Sequence, residues 1–338
     1  MSDFDELIEG FGDTPVKRTQ TGKKLTTTAC VNEIVSSIMQ VIAQTNADAI
    51  VEMTVDKIKE QVAKEVGLIP PRVEVRTPLQ TTILNEATHE KFEEVLKMVH
   101  LDIPVFLTGK AGTGKNVICK QVAKALGLDF YFTNAVTQEY KLTGFIDANG
   151  NYHETQFYQA FTKGGLFFLD EMDASVPETL VILNAAIANR YFDFPTGRVE
   201  ASPLFRVIAA GNTLGTGADI NYTGRYSLDR ASLDRFALIK IDYSPAIEKA
   251  ITNSNTELIK FAHAFREATE YAGVNCLCSY RAIGMINSME QEFDDTREII
   301  NIALVKGMDK DTLKILQRNL DKDSSLQSNK YAKAFYAL

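Results

Sequence analysis

The glycine-rich segment Gly109–Lys115, which reads GKAGTGK, constrains the fold of this chain more than any other stretch. It follows the apolar run 105–107, and a helical pattern that ends at Gly127 comes after it. A buried strand, a glycine-rich turn and a helix start form a cradle for phosphate groups, because glycines let backbone N–H groups approach phosphate oxygens and the helix N-terminus adds a positive dipole. The segment therefore predicts a nucleotide-binding loop in which Lys115 reaches the terminal phosphates. The residues expected to bind the nucleotide are Gly109, Lys110, Ala111, Gly112, Thr113, Gly114, Lys115, Asn116 and Val117.

A second apolar run, 165–169, ends in the two carboxylates Asp170 and Glu171. Such a run is typical of a parallel strand whose carboxyl end faces a phosphate site. We expect Asp170 to hold Mg²⁺, directly or through water, and Glu171 to orient and activate the attacking water. Taken alone, the pair would favour a strand that ends in a solvated acidic turn. The phosphate loop upstream favours the nucleotide interpretation.

The residue after Lys115 departs from the usual motif, in which a serine or threonine hydroxyl binds Mg²⁺. Here it is Asn116. An amide oxygen is an acceptable ligand for a hard cation, but the longer side chain shifts the geometry, and Mg²⁺ demands near-ideal octahedral distances. Two interpretations stay open: slow hydrolysis, or nucleotide binding with little turnover. We favour hydrolysis, because Glu171 has little use in an inactive site.

Composition narrows the classes of protein. The chain has 338 residues, a net charge of −8 and a pI of about 5.2. That balance argues against nucleic acid as the main partner, since such a partner favours a basic surface. No membrane-spanning run and no signal peptide are apparent, so we expect a cytoplasmic protein. The close pair Cys276 and Cys278 lacks a second pair or nearby histidines, which favours free thiols over zinc ligands.

Periodicity divides the chain into five predicted segments. They are a flexible arm (1–28), a small helical unit (29–75), a P-loop nucleotide-binding domain (76–245), a helical lid domain (246–325) and a tail (326–338). The nucleotide-binding domain alternates strands and helices, which predicts an α/β fold with a five-stranded parallel sheet covered by helices on both faces. The strands are predicted at 105–108, 129–133, 166–170, 204–210 and 237–241.

Local signals predict further features of this domain. Helices are predicted at 88–99 and after Ser175, which with Glu178 forms a capping-box pattern. The segment 144–154 predicts a hairpin around Asn149-Gly150, and 191–201 predicts a second hairpin. The sequence leaves open whether the aromatic tail docks on the lid.

The order of these motifs resembles the AAA+ ATPases over roughly residues 76–290. The segment 206–213 is similar to their sensor-1 strand, with Asn212 at the polar position. Asn212, at a strand end between the two nucleotide motifs, would hold the attacking water together with Glu171. A strand-ending asparagine in a turn is the simpler alternative.

Three arginines acquire expected roles from the same resemblance. The segment 228–236 is similar to the one that carries the arginine finger, which points into the neighbouring subunit's site. Arg235 is the first choice and Arg230 the second. Arg281, in the segment 279–282, resembles the sensor-2 residue that reaches the nucleotide from the lid. For each of these three residues, the alternative is an ordinary surface arginine with no role at the site.

The two hairpins narrow the resemblance to the helix-2-insert branch, in the MoxR and dynein-related group. The segment 211–217 is most similar to the ATPase subunit of cobalt chelatases and its phage relatives. This resemblance implies ATP and Mg²⁺ as cofactors and a homo-oligomer, commonly a hexameric ring. It also implies a chaperone or motor that remodels a partner protein, often one with a von Willebrand factor A domain, or a metalloenzyme. Phe145 and Ile146 on the first hairpin would either grip that partner or pack beneath the hairpin.

Three other functions remain open from the sequence. One is a nucleic-acid motor or restriction subunit that uses ATP or GTP. Another is a weakly hydrolysing, nucleotide-gated scaffold, for which Asn116 is the reason. The last is a metabolite kinase, which shares the phosphate loop but should lack the series Asn212, Arg235 and Arg281.

Overall fold

All five strands that the sequence predicts lie in one parallel sheet. The computed structural model describes residues 73–76, 81–218 and 222–338. In chain order its strands are β1 (Val73–Arg76), β2 (Thr81–Leu84), β3 (Val105–Thr108), β4 (Phe130–Thr133), β5 (Phe145–Ile146), β6 (Tyr152–His153), β7 (Gly165–Leu169), β8 (Tyr191–Phe194), β9 (Gly197–Glu200), β10 (Phe205–Gly211) and β11 (Ala237–Lys240). The parallel sheet has the order β11-β3-β10-β7-β4. The fold class is thus the α/β architecture expected from the sequence.

Helices cover both faces of this sheet and form the region that follows it. They are α1 (Phe92–His100), α2 (Lys115–Leu126), α3 (Tyr140–Thr143), α4 (Gln156–Lys163), α5 (Pro177–Asn189), α6 (Arg230–Leu233), α7 (Pro245–Ile251), α8 (Thr256–Ala272), α9 (Tyr280–Met289), α10 (Thr296–Ile300), α11 (Lys310–Leu320) and α12 (Lys330–Tyr336). A π-helical segment, Asn301–Val305, continues α10. Among the described residues, none of these helices has both the length and the apolar character needed to cross a membrane.

Side-chain alternation along the central strands builds a core on each face of the sheet. Phe106 and Phe167 point into one cluster, whereas Leu107 and Phe168 point into the other. All four are fully buried. Strands buried on both faces read as continuous apolar runs, which explains why the sequence places β3 and β7 to within one residue.

Both predicted hairpins are confirmed. β5 pairs with β6 and β8 pairs with β9, each antiparallel. Phe145 and Ile146 are about half exposed at 46% and 49%, and the Phe145 ring stacks on His153 at 4.7 Å between centroids. The antiparallel pair β1–β2 was not anticipated from the sequence.

Two local predictions were wrong. The helix expected at 88–99 begins only at Phe92, because His89 is committed elsewhere: its Nε2 lies 2.8 Å from the carbonyl of Asp242 and its Nδ1 accepts from the Lys91 amide. Ser175 does not cap α5. Its buried hydroxyl accepts a hydrogen bond from the Val136 amide at 2.9 Å, and the cap residue is Val176.

The helices after β11 share one core, and the end of the chain belongs to it. Tyr331 and Phe335 of α12 are fully buried against Phe261 and Phe265 of α8. The Tyr331 hydroxyl donates to Glu290 at 2.7 Å. The aromatic residues of the tail therefore dock in the helical region.

The predicted arm (1–28) lies outside the described residues, as does the predicted helical unit 29–75 apart from its end. Residues 73–75 of that unit belong to strand β1.

Candidate active site

The carboxyl ends of the three central strands open into one cavity of about 560 Å³. In parallel α/β sheets this edge is where ligands bind. The phosphate loop follows β3, the two carboxylates follow β7 and Asn212 follows β10. The cavity is lined from this edge by Ala111, Gly112, Gly114, Lys115, Asn116, Val117, Asp170, Glu171 and Asn212, and from the helical region by Ile247, Ala250, Ile251, Tyr280 and Arg281.

The phosphate loop is pressed against neighbouring backbone and tolerates no larger residues at two positions. A Cβ on Gly109 would lie 2.0 Å from the carbonyl oxygen of Ile241, just after β11. A Cβ on Gly112 would lie 2.5 Å from Cβ of Ser279, which caps α9. The Tyr280 amide also donates to the Gly112 carbonyl at 3.2 Å. The loop therefore touches the helical region directly.

Lys115 is buried and folded back onto its own loop. Its Nζ donates to the carbonyl of Gly109 at 2.6 Å, to the carbonyl of Lys110 at 3.1 Å and to Oδ1 of Asn212 at 3.1 Å. Burial lowers its pKa to about 8, although the negative charges of Asp170 and Asp173 oppose this effect. The ammonium group is held by neutral acceptors, and an anion in the cavity would favour its charged form.

The two carboxylates directly follow the carboxyl end of β7 and line the same cavity. Burial raises the pKa of Asp170 above its usual value, while the Glu171 amide and Lys115 oppose the rise. The Glu171 amide donates to Oδ1 of Asp170 at 2.9 Å. Glu171 has a left-handed backbone (φ 52°), a conformation that non-glycine residues hold only where the surroundings enforce it.

Asn116, which lines the same cavity as these carboxylates, has an unsatisfied side-chain oxygen. Its Oδ1 is buried and has no hydrogen-bond partner among the described residues. A buried amide oxygen without a partner costs free energy, and a hard cation is a suitable partner for it. No group of three or more His, Cys, Asp or Glu residues in the described part of the chain could form a metal cage. Asn116 and Asp170 could hold a Mg²⁺ ion together with phosphate oxygens, since Mg²⁺ is commonly bound by one or two protein ligands and substrate phosphates.

A buried carboxylate that the sequence analysis missed fixes the position of Asn212. Asp173 is fully buried, and its Oδ2 accepts from the amides of Asn212 and Thr213 and from the Thr213 hydroxyl at 2.9–3.0 Å. The Thr108 hydroxyl at the end of β3 donates to the Thr213 carbonyl at 3.1 Å. The end of β10 is thereby tied to both neighbouring strands.

Arg225 is a second residue that sequence reasoning missed. Its Nη2 lies 3.2 Å from Oε1 of Glu171, and its Nη1 lies 3.5 Å from Oδ1 of Asp173. Its side chain is only 11% exposed. The single local signal is an arginine after Gly224, which does not identify partners more than fifty residues away.

One of the three arginines expected at the site lines the cavity, and the other two do not. Arg281 lines the cavity from the start of α9. Arg230 and Arg235 are exposed and do not line it. Arg235 donates to the carbonyl of Ala231 and borders a groove between α5 and α6.

Part of the cavity lining is apolar. Ala87, Val117, Ile247 and Ala250 form this part. The Gln121 side chain donates to the Ala87 carbonyl at 3.0 Å, which holds this wall in place. The cavity thus combines apolar side chains with amides, carboxylates and Lys115, a combination that suits a nucleotide.

Comparison with known proteins agrees with this geometry. Residues 104–236 match the family model of the AAA domain, dynein-related subfamily. The match contains the phosphate loop, both carboxylates and Asn212. The chain therefore contains an AAA domain, and the resemblance seen in the sequence is confirmed at that level. The closer resemblance to MoxR proteins and chelatase subunits stays a prediction.

Relatives and solved structures add little about function. An uncharacterised protein of Staphylococcus epidermidis is 28% identical over 175 residues, which cover 48% of this chain and 64% of that protein. A putative ATPase of Cytophaga hutchinsonii aligns at 17% identity over 80% of this chain and 94% of its own, with a TM-score of 0.40. A RuvB mutant of Thermotoga maritima aligns at 17% identity over 72% and 70%, with a TM-score of 0.35. Likenesses this distant carry no argument about activity.

Proposed function

We propose that this protein binds ATP with Mg²⁺ and hydrolyses it within an oligomeric AAA+ ring that remodels a partner protein or metalloenzyme. The observation that carries the ATPase proposal is the convergence of Lys115, Asn116, Asp170, Glu171 and Asn212 on one cavity. These residues come from the ends of three strands that are distant in sequence. Each has a chemical part in phosphoryl transfer, and a structural strand end would need none of them.

The proposed reaction is an in-line attack of water on the γ-phosphorus of ATP. The bond from that phosphorus to the bridging oxygen breaks, and ADP and phosphate leave. Glu171 accepts the proton of the attacking water, and Asn212 orients that water from the neighbouring strand. Lys115 leaves its loop carbonyls and pairs with the terminal phosphates. Asn116 and Asp170 would hold Mg²⁺, which supplies charge neutralisation when bound.

The proposed ring would complete each site with an arginine from the neighbouring subunit. Arg235, the first candidate, and Arg230, the second, are exposed and lie away from the cavity of their own chain. This placement supports a role in a neighbour's site, because a finger residue must extend from the surface. Arg281, on the cavity wall, would sense the nucleotide from the lid and couple lid position to phosphate state.

The partner would contact the β5–β6 hairpin. The half-exposed side chains of Phe145 and Ile146 support this assignment. A partner with a von Willebrand factor A domain is proposed from the sequence resemblance alone. A nucleic-acid partner is less favoured because of the net charge of −8.

Hydrolysis per protomer, measured as protein concentration rises, tests this proposal, with Glu171→Gln as the blank. We expect turnover per protomer to climb and then level off, because sites completed between subunits need assembly. Turnover per protomer that stays constant down to protein concentrations well below any assembly threshold would contradict a site shared between subunits and the role of Arg235. Turnover no higher than the Glu171→Gln blank would refute the ATPase and favour the scaffold alternative, with Asn116 as its cause.

A further inference from the structure

A loop that follows β10 brings one arginine to the catalytic carboxylate. The Tyr226 amide donates to the Asp173 carbonyl at 2.8 Å, and the Leu228 amide donates to the Gly215 carbonyl at 2.9 Å. These two bonds fix the chain directly after Arg225. The side chain is held in a nearly buried position, 11% exposed, rather than free in solvent.

Arg225 joins two carboxylates that have different surroundings. Nη2 lies 3.2 Å from Oε1 of Glu171, whose side chain is 40% exposed. Nη1 lies 3.5 Å from Oδ1 of Asp173, whose side chain is fully buried. That Asp173 oxygen has no hydrogen-bond partner among the described residues. The guanidinium is therefore an ion-pair partner for a buried carboxylate, and burial makes the carboxylate charge costly to leave unpaired.

Arg225 and Asp173 also connect Glu171 to Asn212. The other oxygen of Asp173 accepts from the Asn212 amide at 3.0 Å. A chain of contacts therefore runs from Oε1 of Glu171 through Arg225 and Asp173 to the backbone of Asn212. The planar guanidinium holds its two terminal nitrogens in a fixed geometry, so it bridges the two carboxylates through a hydrogen bond to Glu171 and an ion pair with Asp173.

We propose that Arg225 is a positioning residue for hydrolysis, which fixes the Glu171 carboxylate through Oε1 and keeps it in register with Asn212. This inference rests on the proposed ATPase function. Oε2 of Glu171 stays available to accept the proton of the attacking water. An alternative is a latch, in which the ion pair withholds Glu171 from the water until it is broken. The single contact to one oxygen favours positioning.

The test compares Arg225→Ala and Arg225→Lys with the unchanged protein and with Arg198→Ala. Arg198 is a matched control, because it is also ion-paired, with Asp193 at 2.9 Å, but it is 60% exposed on the β8–β9 hairpin. The readouts are kcat and KM for ATP and the binding of a fluorescent nucleotide. For Arg225→Ala we expect kcat to fall on the order of 10- to 100-fold, with KM and nucleotide affinity within about twofold. Lysine should restore part of kcat, since one ammonium pairs with Glu171 but cannot fork to Asp173.

Other outcomes would overturn the inference. Unchanged or increased kcat in Arg225→Ala would exclude positioning, and an increase would indicate a latch. If Arg225→Ala loses nucleotide binding because it does not fold, Arg225→Lys decides: unchanged kcat, or kcat and nucleotide affinity reduced together, would assign Arg225 a purely structural role. Glu171→Gln run in parallel separates the two proposals. If the unchanged protein turns over faster than Glu171→Gln and the Arg225 variants are as fast as the unchanged protein, only the positioning role fails. If the unchanged protein is no faster than Glu171→Gln, both proposals fail.

Discussion

Raising the pH is expected to weaken nucleotide binding, because Lys115 loses its proton in the free protein before it would in the complex. Burial lowers its pKa to about 8 when its partners are loop carbonyls and Asn212. Phosphate oxygens near the ammonium favour the charged form and raise its pKa in the complex. Binding therefore takes up a proton above pH 8, and affinity falls as the pH rises through that value.

The magnitude follows from the fraction of free protein that already carries the charged lysine. With a pKa of about 8, that fraction falls about eightfold between pH 7.5 and 9.0, and the affinity should fall by the same factor. If the complex restores the 10.5 of an unperturbed lysine, the full effect across the titration is about 3 kcal/mol.

Titration with a fluorescent ATP analogue at several pH values measures this effect, and calorimetry in two buffers of different ionisation enthalpy counts the protons. Lys115→Arg is the matched control, because a guanidinium stays charged throughout. Its affinity should not change over this range beyond effects of the nucleotide itself, whatever its absolute value. An unchanged protein whose affinity is flat from pH 7.5 to 9.0 would refute the reasoning.

Three further results are expected. Asn116→Ala should raise the Mg²⁺ concentration for half-maximal turnover on the order of tenfold, because a ligand oxygen is lost. Asn116→Thr should need nearly the same Mg²⁺ concentration as the unchanged protein. Equal Mg²⁺ dependence for all three proteins would exclude Asn116 as a ligand. Arg235→Ala mixed equally with Glu171→Gln should recover about a quarter of normal turnover, because about a quarter of the interfaces pair an intact Glu171 from one variant with an intact Arg235 from the other. Arg230→Ala should not need such rescue. No recovery in the mixture would count against Arg235. Phe335→Ala should lower the free energy of unfolding by about 3–5 kcal/mol in denaturant titrations. Leu338 is 37% exposed, so Leu338→Ala should change this free energy little. Similar losses for both variants would contradict docking of the tail.

Sequence alone predicts the sheet and much of the cavity wall because both depend on strong local patterns. β3 and β7 are continuous apolar runs, and the residues that face the cavity follow directly at their carboxyl ends. A chain that encodes a strand in this way also encodes the position of the next residue in space. The placement of Lys115, Asp170 and Asn212 around one cavity follows from this.

The remaining features depend on contacts between distant residues. The hydroxyl of Ser175 accepts from the Val136 amide, so a long-range bond replaces the cap that the local pattern predicts. Arg225 has its partners at Glu171 and Asp173, and the loop that holds it has no periodic pattern. His89 delays the start of α1 because Asp242 engages its ring. Nothing within a few residues of these positions indicates their partners.

The close approach of Gly109 to Ile241 joins the phosphate loop to the segment that leads into the helical region. The Ile241 amide donates to the Thr108 carbonyl at 2.7 Å, and α7 begins four residues later at Pro245. The segment on which the lid would turn is therefore hydrogen-bonded to the end of the strand that carries the loop. A shift of the phosphate loop would therefore be transmitted directly to the start of the helical region.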